Sequence, residues 1–438
     1  MKNSNGIPFG VGGIRVFSGR ETAEDLVDIV ENTYPGMEAE LARVGLDPVC
    51  EVRLAGPVVD GLLVEEGDGY RETRELGRLK EHLADRQLIS TGISGGSTKW
   101  GTSREDLIAR NGVSWAEDRK FETMRKGLHL LPHLHNGTVS HIFVQSLAGI
   151  MRSDIEGREA ELNPLIARNV ARVAAELFRL SEASGERLMV GLDPTRGQSL
   201  MYAEEVVVFW DEYLSVEGRD LIVEELGVSE AEAKKILKEV VQIRLDAGHS
   251  RMNFADPTEQ ARIYADHGIG VCGINLGNST RLEQPSEHPK LADFISHYAD
   301  GSPILVQVQG RKGDWRGFIT EHLTDLRDRP ELIDGLDEMR IHAHLRLDQE
   351  QDAKFGFPHL QAEAMDDFRG LCAFYRSRGI PMPPVYSHVI DYRDEKGERI
   401  PNSERDQLYE AVVNQALYAG EQIRGWTTDN GRQTAAVM

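Results

Sequence analysis

Short stretches in which apolar and polar residues alternate recur along the chain, and most are followed by longer stretches with apolar residues three and four apart. The first kind of stretch predicts strands and the second predicts helices. Strands are expected at Phe9–Phe17, Val49–Leu54, Leu88–Ile93, Thr138–Gln145, Arg187–Leu192, Val241–Asp246, Gly270–Leu276 and Pro384–Tyr392. Helices are expected at Glu21–Val44 (interrupted by Pro35), Arg71–Leu83, Trp115–Leu131, Leu162–Ser181, Tyr202–Leu214, Val216–Lys238, Pro257–His267, Leu291–Tyr298, Leu360–Arg378 and Ser403–Ile423. Ser229, with Glu232 three residues on, has the spacing of a helix cap. Asp60–Tyr70 is acidic and contains glycine, and reads as an exposed loop. Two further alternating stretches, Ile304–Gln309 and Met339–Leu347, fall between the seventh and eighth strands.

Strands alternating with helices through most of a chain imply a parallel α/β sheet, and eight such units suit a (β/α)8 TIM barrel. With no linker or repeat in view, the expectation is one domain over 1–438. Its barrel core covers about 9–425, and an insertion of about 300–338 lies between strands seven and eight.

Composition narrows the partners. The chain has 438 residues and a formal net charge of -22. So acidic a chain disfavours generic nucleic-acid binding, which needs basic surface, and favours a small-molecule metabolite. Cys50, Cys272 and Cys372 are too widely spaced for a zinc ribbon or redox pair, so free thiols are expected. Neither a signal peptide nor an apolar run long enough for a membrane span is read, which makes cytoplasmic the expected location. Oligomeric state is not legible.

Candidate chemistry gathers at strand ends. In Val241-Gln242-Ile243-Arg244-Leu245-Asp246-Ala247-Gly248-His249 a strand ends in a carboxylate, and an imidazole follows across a small turn. Both are good ligands for a divalent metal. The bland alternative is an Asp capping the next turn. Asp193 ends the fifth strand, Asn275 and Asn278 lie at the seventh, and His388 and Asp391 lie on the eighth. His342 and His344 form an H-x-H pair, which on a strand puts both imidazoles on one face, a geometry that suits two ligands to one metal. His133 and His135 read as helix-end and loop residues. Ser94–Lys99 is a glycine-containing loop without a Walker or dinucleotide pattern.

Three segments resemble the xylose-isomerase-like TIM-barrel superfamily, nearest to its EboE-like metabolite-traffic proteins. They are Leu192-Asp193-Pro194-Thr195-Arg196-Gly197, Arg244-Leu245-Asp246-Ala247-Gly248-His249 and Arg340-Ile341-His342-Ala343-His344-Leu345. The resemblance is spread over roughly residues 10 to 395. It implies a divalent metal (Zn, Mn, Fe or Co) at the barrel rim, held by Asp193, Asp246, His249, His342 and His344, with Asp193 or His388 as general acid or base. Three departures weaken that set. Asp193 stands where the family has Glu, an Asn (Asn275 or Asn278) replaces the seventh-strand His, and the last-strand Glu is missing, with Tyr386 and His388 nearest. The expected activity is metal-dependent isomerisation or epimerisation of a small sugar- or polyol-like metabolite. The alternatives are a non-catalytic binding or trafficking protein with a degenerate, metal-free site, and a metal-dependent oxidase or hydrolase.

Overall fold

The computed structural model describes residues 9–11, 22–32, 34–43, 48–54, 56–67, 69–83, 88–93, 122–134, 142–147, 152–185, 187–194, 197–299, 306–345, 347–386, 414–415, 417–419 and 421. Its strands in chain order are β1 (Phe9–Val11), β2 (Pro48–Leu54), β3 (Leu63–Glu66), β4 (Gly69–Glu72), β5 (Leu88–Ile93), β6 (Ile142–Leu147) and β7 (Leu188–Asp193). They continue with β8 (Val241–Asp246), β9 (Val271–Asn275), β10 (Asn278–Glu283), β11 (Val306–Lys312), β12 (Trp315–His322), β13 (Glu338–Leu345) and β14 (Val385–Tyr386).

Eight of these pair in the order β5-β2-β1-β14-β9-β8-β7-β6, every neighbour parallel. Read from β1, the order is that of the chain, with β14 returning beside β1. The two strands at the ends of this sheet, β5 and β6, lie against each other, so the sheet closes on itself. The fold is a (β/α)8 barrel, and each of the eight expected strands overlaps one of its staves.

The barrel strands whose side chains are described explain their own placement. Val241, Ile243 and Leu245 of β8, like Leu188, Val190 and Leu192 of β7, belong to the large apolar core that the surrounding helices complete. The alternate residues, Gln242, Arg244, Asp246 and Asp193, are also buried. A strand covered on both faces buries polar residues only where the barrel interior can use them. Around the barrel, the helix Glu159–Ser184 buries Leu162, Ile166, Val170, Val173 and Leu177. Ser229 caps the helix Glu230–Val240, its side chain accepting from the Glu232 amide at 3.2 Å. Cys272 and Cys372 are free and buried, and burial pushes both thiols up to about 12. No described helix is long and apolar enough to cross a membrane.

Several expectations need correction. Residues 60–70 are not an open loop: the helix Gly56–Leu62 runs into the hairpin β3–β4, turned at Gly67 with φ 63°. The helix Glu122–Leu134 passes through Pro132. A proline in the last turn leaves most of the helix's hydrogen bonds untouched. Residues 203–226 are continuously helical, with π-helical turns at Trp210–Gly218. Between β9 and β14, the insertion sheet is wider than the expected 300–338. Its four antiparallel strands, in the order β10-β13-β11-β12, run from Asn278 to Leu345. One face packs a second small core of Leu282, Phe294, Val308, Met339, Ile341 and Phe357. The last expected helix, Ser403–Ile423, and His388 lie outside the described residues apart from a few positions in the helix.

Candidate functional site

Asp193, Asp246 and Asn275 are the last residues of the neighbouring strands β7, β8 and β9, at the carboxyl end of the barrel. Asp246 and Asn275 are register partners. This is the end of a barrel where side chains from strands far apart in sequence can face one another.

The local sequence explains the arrangement. Asp246 ends its strand and caps the short helix Ala247–Met252: its Oδ1 accepts the His249 amide at 2.8 Å. The bland reading of Asp246 as a cap is therefore correct, and it coexists with a second role. Asp246 Oδ2 accepts from Asn275 Nδ2 at 2.6 Å, which fixes the carboxylate plane. The same turn holds the His249 ring close to both carboxylates. Its Nδ1 lies 3.6 Å from Asp193 Oδ1, and its Nε2 lies 3.7 Å from Asp246 Oδ2. His249 is 7%, Asp246 6% and Asp193 3% exposed, so the imidazole sits between two carboxylates screened from bulk water.

Gly248 lets this turn form. A Cβ there would meet Asp246 Oδ1 and the Gly277 Cα, each at 3.1 Å. Ser250 Oγ lies 2.9 Å from the Asp246 carbonyl oxygen and 2.5 Å from Gln260 Oε1. Arg251 grips Asp367 of the helix Gln361–Arg378 through two bonds, the Nε one at 2.9 Å. Burial pushes the Asp367 carboxyl up to about 6, against the pull of Arg251. Tyr264, behind the site, has a fully buried hydroxyl that burial, with Glu204 and Asp193 adding to it, drives far above its usual range.

The insertion sheet closes over this helix. Arg340 on β13 donates to the Arg251 carbonyl oxygen, and its guanidinium carbon stands 4.0 Å from the Phe254 ring centroid. Arg316 on β12 donates to the Phe254 carbonyl at 2.7 Å. Phe254 is held at φ 56°, a left-handed conformation that costs about 1 kcal/mol or more and is retained only where surroundings enforce it. Glu338, 1% exposed, gathers Arg281, Arg311 and Arg340 about itself.

His342 and His344 lie near the end of β13. Pairing with β10 shifts register between Ile341 and Leu345, which oppose Thr280 and Asn278. Such a bulge breaks the two-residue alternation, so alternation alone does not put both histidines on one face. The backbone sets this end of β13 beside Asn278, three residues beyond Asn275. Among the described residues, no three His, Cys, Asp or Glu side chains converge as one metal-binding group. His133 is inside a helix and lies 2.7 Å from Glu72 through Nδ1, a surface pair rather than a site residue. His135, Asp391 and Ser94–Lys99 lie outside the described residues. Three residues escaped the sequence reading: Asn253, Gln309 and Tyr264, all at most 1% exposed. Neutral side chains in no motif leave no signal before their burial is known.

Fold and rim together define an α/β barrel with a buried carboxylate–imidazole site at its carboxyl end. No family model and no curated protein matches the chain. Among solved structures it is similar to a xylose isomerase-like TIM-barrel protein from Mycobacterium smegmatis in complex with magnesium, with 10% identity, TM-score 0.43, and 96% of this chain and 98% of that chain covered. It is also similar to a D-tagatose 3-epimerase-like protein, with 13% identity, TM-score 0.41, and 94% and 100% covered. A third is the IOLI protein with a bound zinc atom, with 9% identity, TM-score 0.41, and 94% and 96% covered. At these levels no residue role carries across.

Proposed function

We propose that the rim site transfers a proton on a small sugar- or polyol-like metabolite with the help of a divalent metal, as an isomerase or epimerase does. The observation that carries this reading is the His249 imidazole held between Asp193 and Asp246. Two ligands of one tetrahedral ion with bonds near ~2.1 Å stand roughly 3.4 Å apart. The nitrogen–oxygen separations of 3.6 and 3.7 Å are close to that. The two carboxylates approach different ring nitrogens, so one ion takes His249 with Asp246 or with Asp193. His342 and His344, on the neighbouring strand end, complete the proposed set. Nitrogen and carboxylate donors of this kind suit zinc, manganese, iron or cobalt. A bound metal would polarise vicinal oxygens and acidify the adjacent C–H or O–H.

The chain's own residues supply the rest. Asp193, removed from water, acts as the general base or acid, with His388 as the other candidate for that role. Asp246 holds His249 through its amide, and Asn275 holds Asp246. Arg251 ties the His249 helix to the outer layer through Asp367.

A second reading is a non-catalytic metabolite-binding or trafficking protein of the EboE-like kind. Asn275 favours it: it gives its amide donor to Asp246 and offers no imidazole or carboxylate. Elemental analysis of protein purified without chelator separates the two, combined with NMR detection of solvent deuterium entering D-fructose or D-xylose. About one equivalent of metal, lost in His342→Ala, with deuterium exchange lost in Asp193→Asn, is the expected result. Absence of metal after soaking with all four ions would refute the enzyme reading and leave the binder.

A further inference from the structure

The interface between barrel rim and insertion sheet holds buried amides that the carboxylate–imidazole site does not use. Gln309 on β11 is 0% exposed, and Asn253, just past the helix Ala247–Met252, is 1% exposed. Neither the oxygen nor the nitrogen of either amide has a hydrogen-bond partner among the described residues. Asn275 has its Oδ1 in the same condition, although its Nδ2 serves Asp246. Gln307, two positions before Gln309, has a buried Oε1 without a partner and a backbone at φ 82°. Buried polar groups are nearly always satisfied, and each that is not costs roughly 1–3 kcal/mol.

The elements bring these groups together. Gln309 is the cross-strand partner of Arg340. Arg340 reaches the Arg251 carbonyl and the Phe254 ring, which flank Asn253. The Asn253 backbone N–H donates to the His249 carbonyl at 3.0 Å, so Asn253 stands one helical turn from His249 on the same side of the helix. The insertion therefore lays β13, whose Arg340 is paired with Gln309, against the element that carries the candidate imidazole.

We propose that Gln309 and Asn253 form a hydroxyl-binding subsite, in which the insertion holds the distal end of a polyhydroxylated substrate whose reacting end lies at Asp193, Asp246 and His249. This rests on the proposed function and adds to it the part of the ligand recognised by the insertion. The chemistry selects a neutral hydroxylated chain over an anion. Each amide has both a donor and an acceptor to satisfy, and a hydroxyl group supplies both. A phosphate or carboxylate supplies acceptors alone and would leave both amide oxygens unmet.

The test is calorimetric titration of the full-length chain with myo-inositol, D-fructose and D-fructose 6-phosphate, for wild type, Gln309→Met, Asn253→Leu and Asp246→Asn. Gln309→Met removes the amide at nearly constant volume. Its melting temperature is expected to equal or exceed that of wild type, because an unmet buried group is gone. Its affinity for the neutral polyols is expected to fall about tenfold or more, the value of one well-made hydrogen bond. Asn253→Leu should do the same. Equal affinities in wild type and both amide variants would overturn the subsite, as would failure of every probe to bind wild type. Binding of D-fructose 6-phosphate alone, through a phosphate contact untouched by either substitution, would overturn it too. Loss of binding in Asp246→Asn with none in the amide variants refutes the subsite and spares the rim reading. The reverse pattern refutes the rim reading and spares the subsite.

Discussion

Asp246 is both a structural cap and a candidate ligand, and two substitutions separate those roles. In Asp246→Ala the His249 amide loses its acceptor, which costs about 1 kcal/mol for a lost helix cap. Asn275 Nδ2 loses the bond it makes at 2.6 Å, and a buried donor left unmet costs a further 1–3 kcal/mol or so. The sum is roughly 2–4 kcal/mol, concentrated on the helix Ala247–Met252. Asp246→Asn keeps the capping oxygen. Its new NH2 would face Asn275 Nδ2, but rotating the Asn275 amide by half a turn presents Oδ1, which has no partner among the described residues. The expected cost is within about 1 kcal/mol. Hydrogen exchange of peptides spanning residues 247–254 measures the difference locally, and urea unfolding measures it globally. Exchange accelerated by about thirtyfold or more in the Ala variant, the rate equivalent of 2 kcal/mol or more, with near-native protection in the Asn variant, is the expected pattern. Equal protection in the two would refute the capping and Asn275 accounting. Metal content should fall in both variants, because neither retains a carboxylate at this position.

Three more outcomes follow from the same geometry. Gly248→Ala brings a methyl within 3.1 Å of the Gly277 Cα and of Asp246 Oδ1, so a loss of about 1–3 kcal/mol in urea unfolding is expected, and unchanged stability would show that the turn can yield. Tyr264→Phe removes a hydroxyl that is buried and has no hydrogen-bond partner among the described residues, so stability should be unchanged or higher; a loss above about 1 kcal/mol by thermal melting would mean that the hydroxyl is satisfied. Asp367, raised to about 6 when folded against an unfolded value near ~3.9, binds its proton more tightly in the folded chain. Its contribution to stability is then fully present below about pH 4 and is lost as pH rises to about 6. Comparing Asp367→Asn with wild type by urea unfolding at pH 4.5 and 7 should expose that slope, and a difference that grows in the opposite direction would contradict it.

The barrel was legible because its strands carry apolar residues toward the helix layer at every second position, as Val241, Ile243 and Leu245 do. The insertion strands were less so. One face of that sheet carries Arg281, Arg340, Glu338 and Gln309 in place of a polar-out, solvent-exposed face. Of its four strands, β10 and β12 therefore carried no strand expectation, although the two-residue turn at Gly313, with φ 58°, is an ordinary hairpin signal. Asp193, Asp246 and His249 could be found because acids and imidazoles at strand ends stand out in a sequence. That the His249 ring lies between the carboxylates depends on the Asp246 cap, which only the local backbone reveals. The register shift at Ile341–Leu345 shows the limit of alternation: one irregular pairing removes the argument that His342 and His344 share a face.

Between β9 and β14 the chain makes its longest detour, yet those two strands are adjacent staves, paired Ile274 with Val385 and Asn275 with Tyr386. Closing so long a loop costs only logarithmically more than closing a short one, but contacts distant in sequence form slowly. The insertion bridges most of that separation. Its hairpin β11–β12 pairs residues close in sequence, and the pairing of Asn278 with Leu345 sets the far end of the detour back beside the rim. Only the stretch from Leu347 through the helix Gln361–Arg378 is left to swing β14 into its slot. With the insertion sheet paired, the loop that must still close to seat β14 beside β9 is shorter than the sequence separation of the two strands.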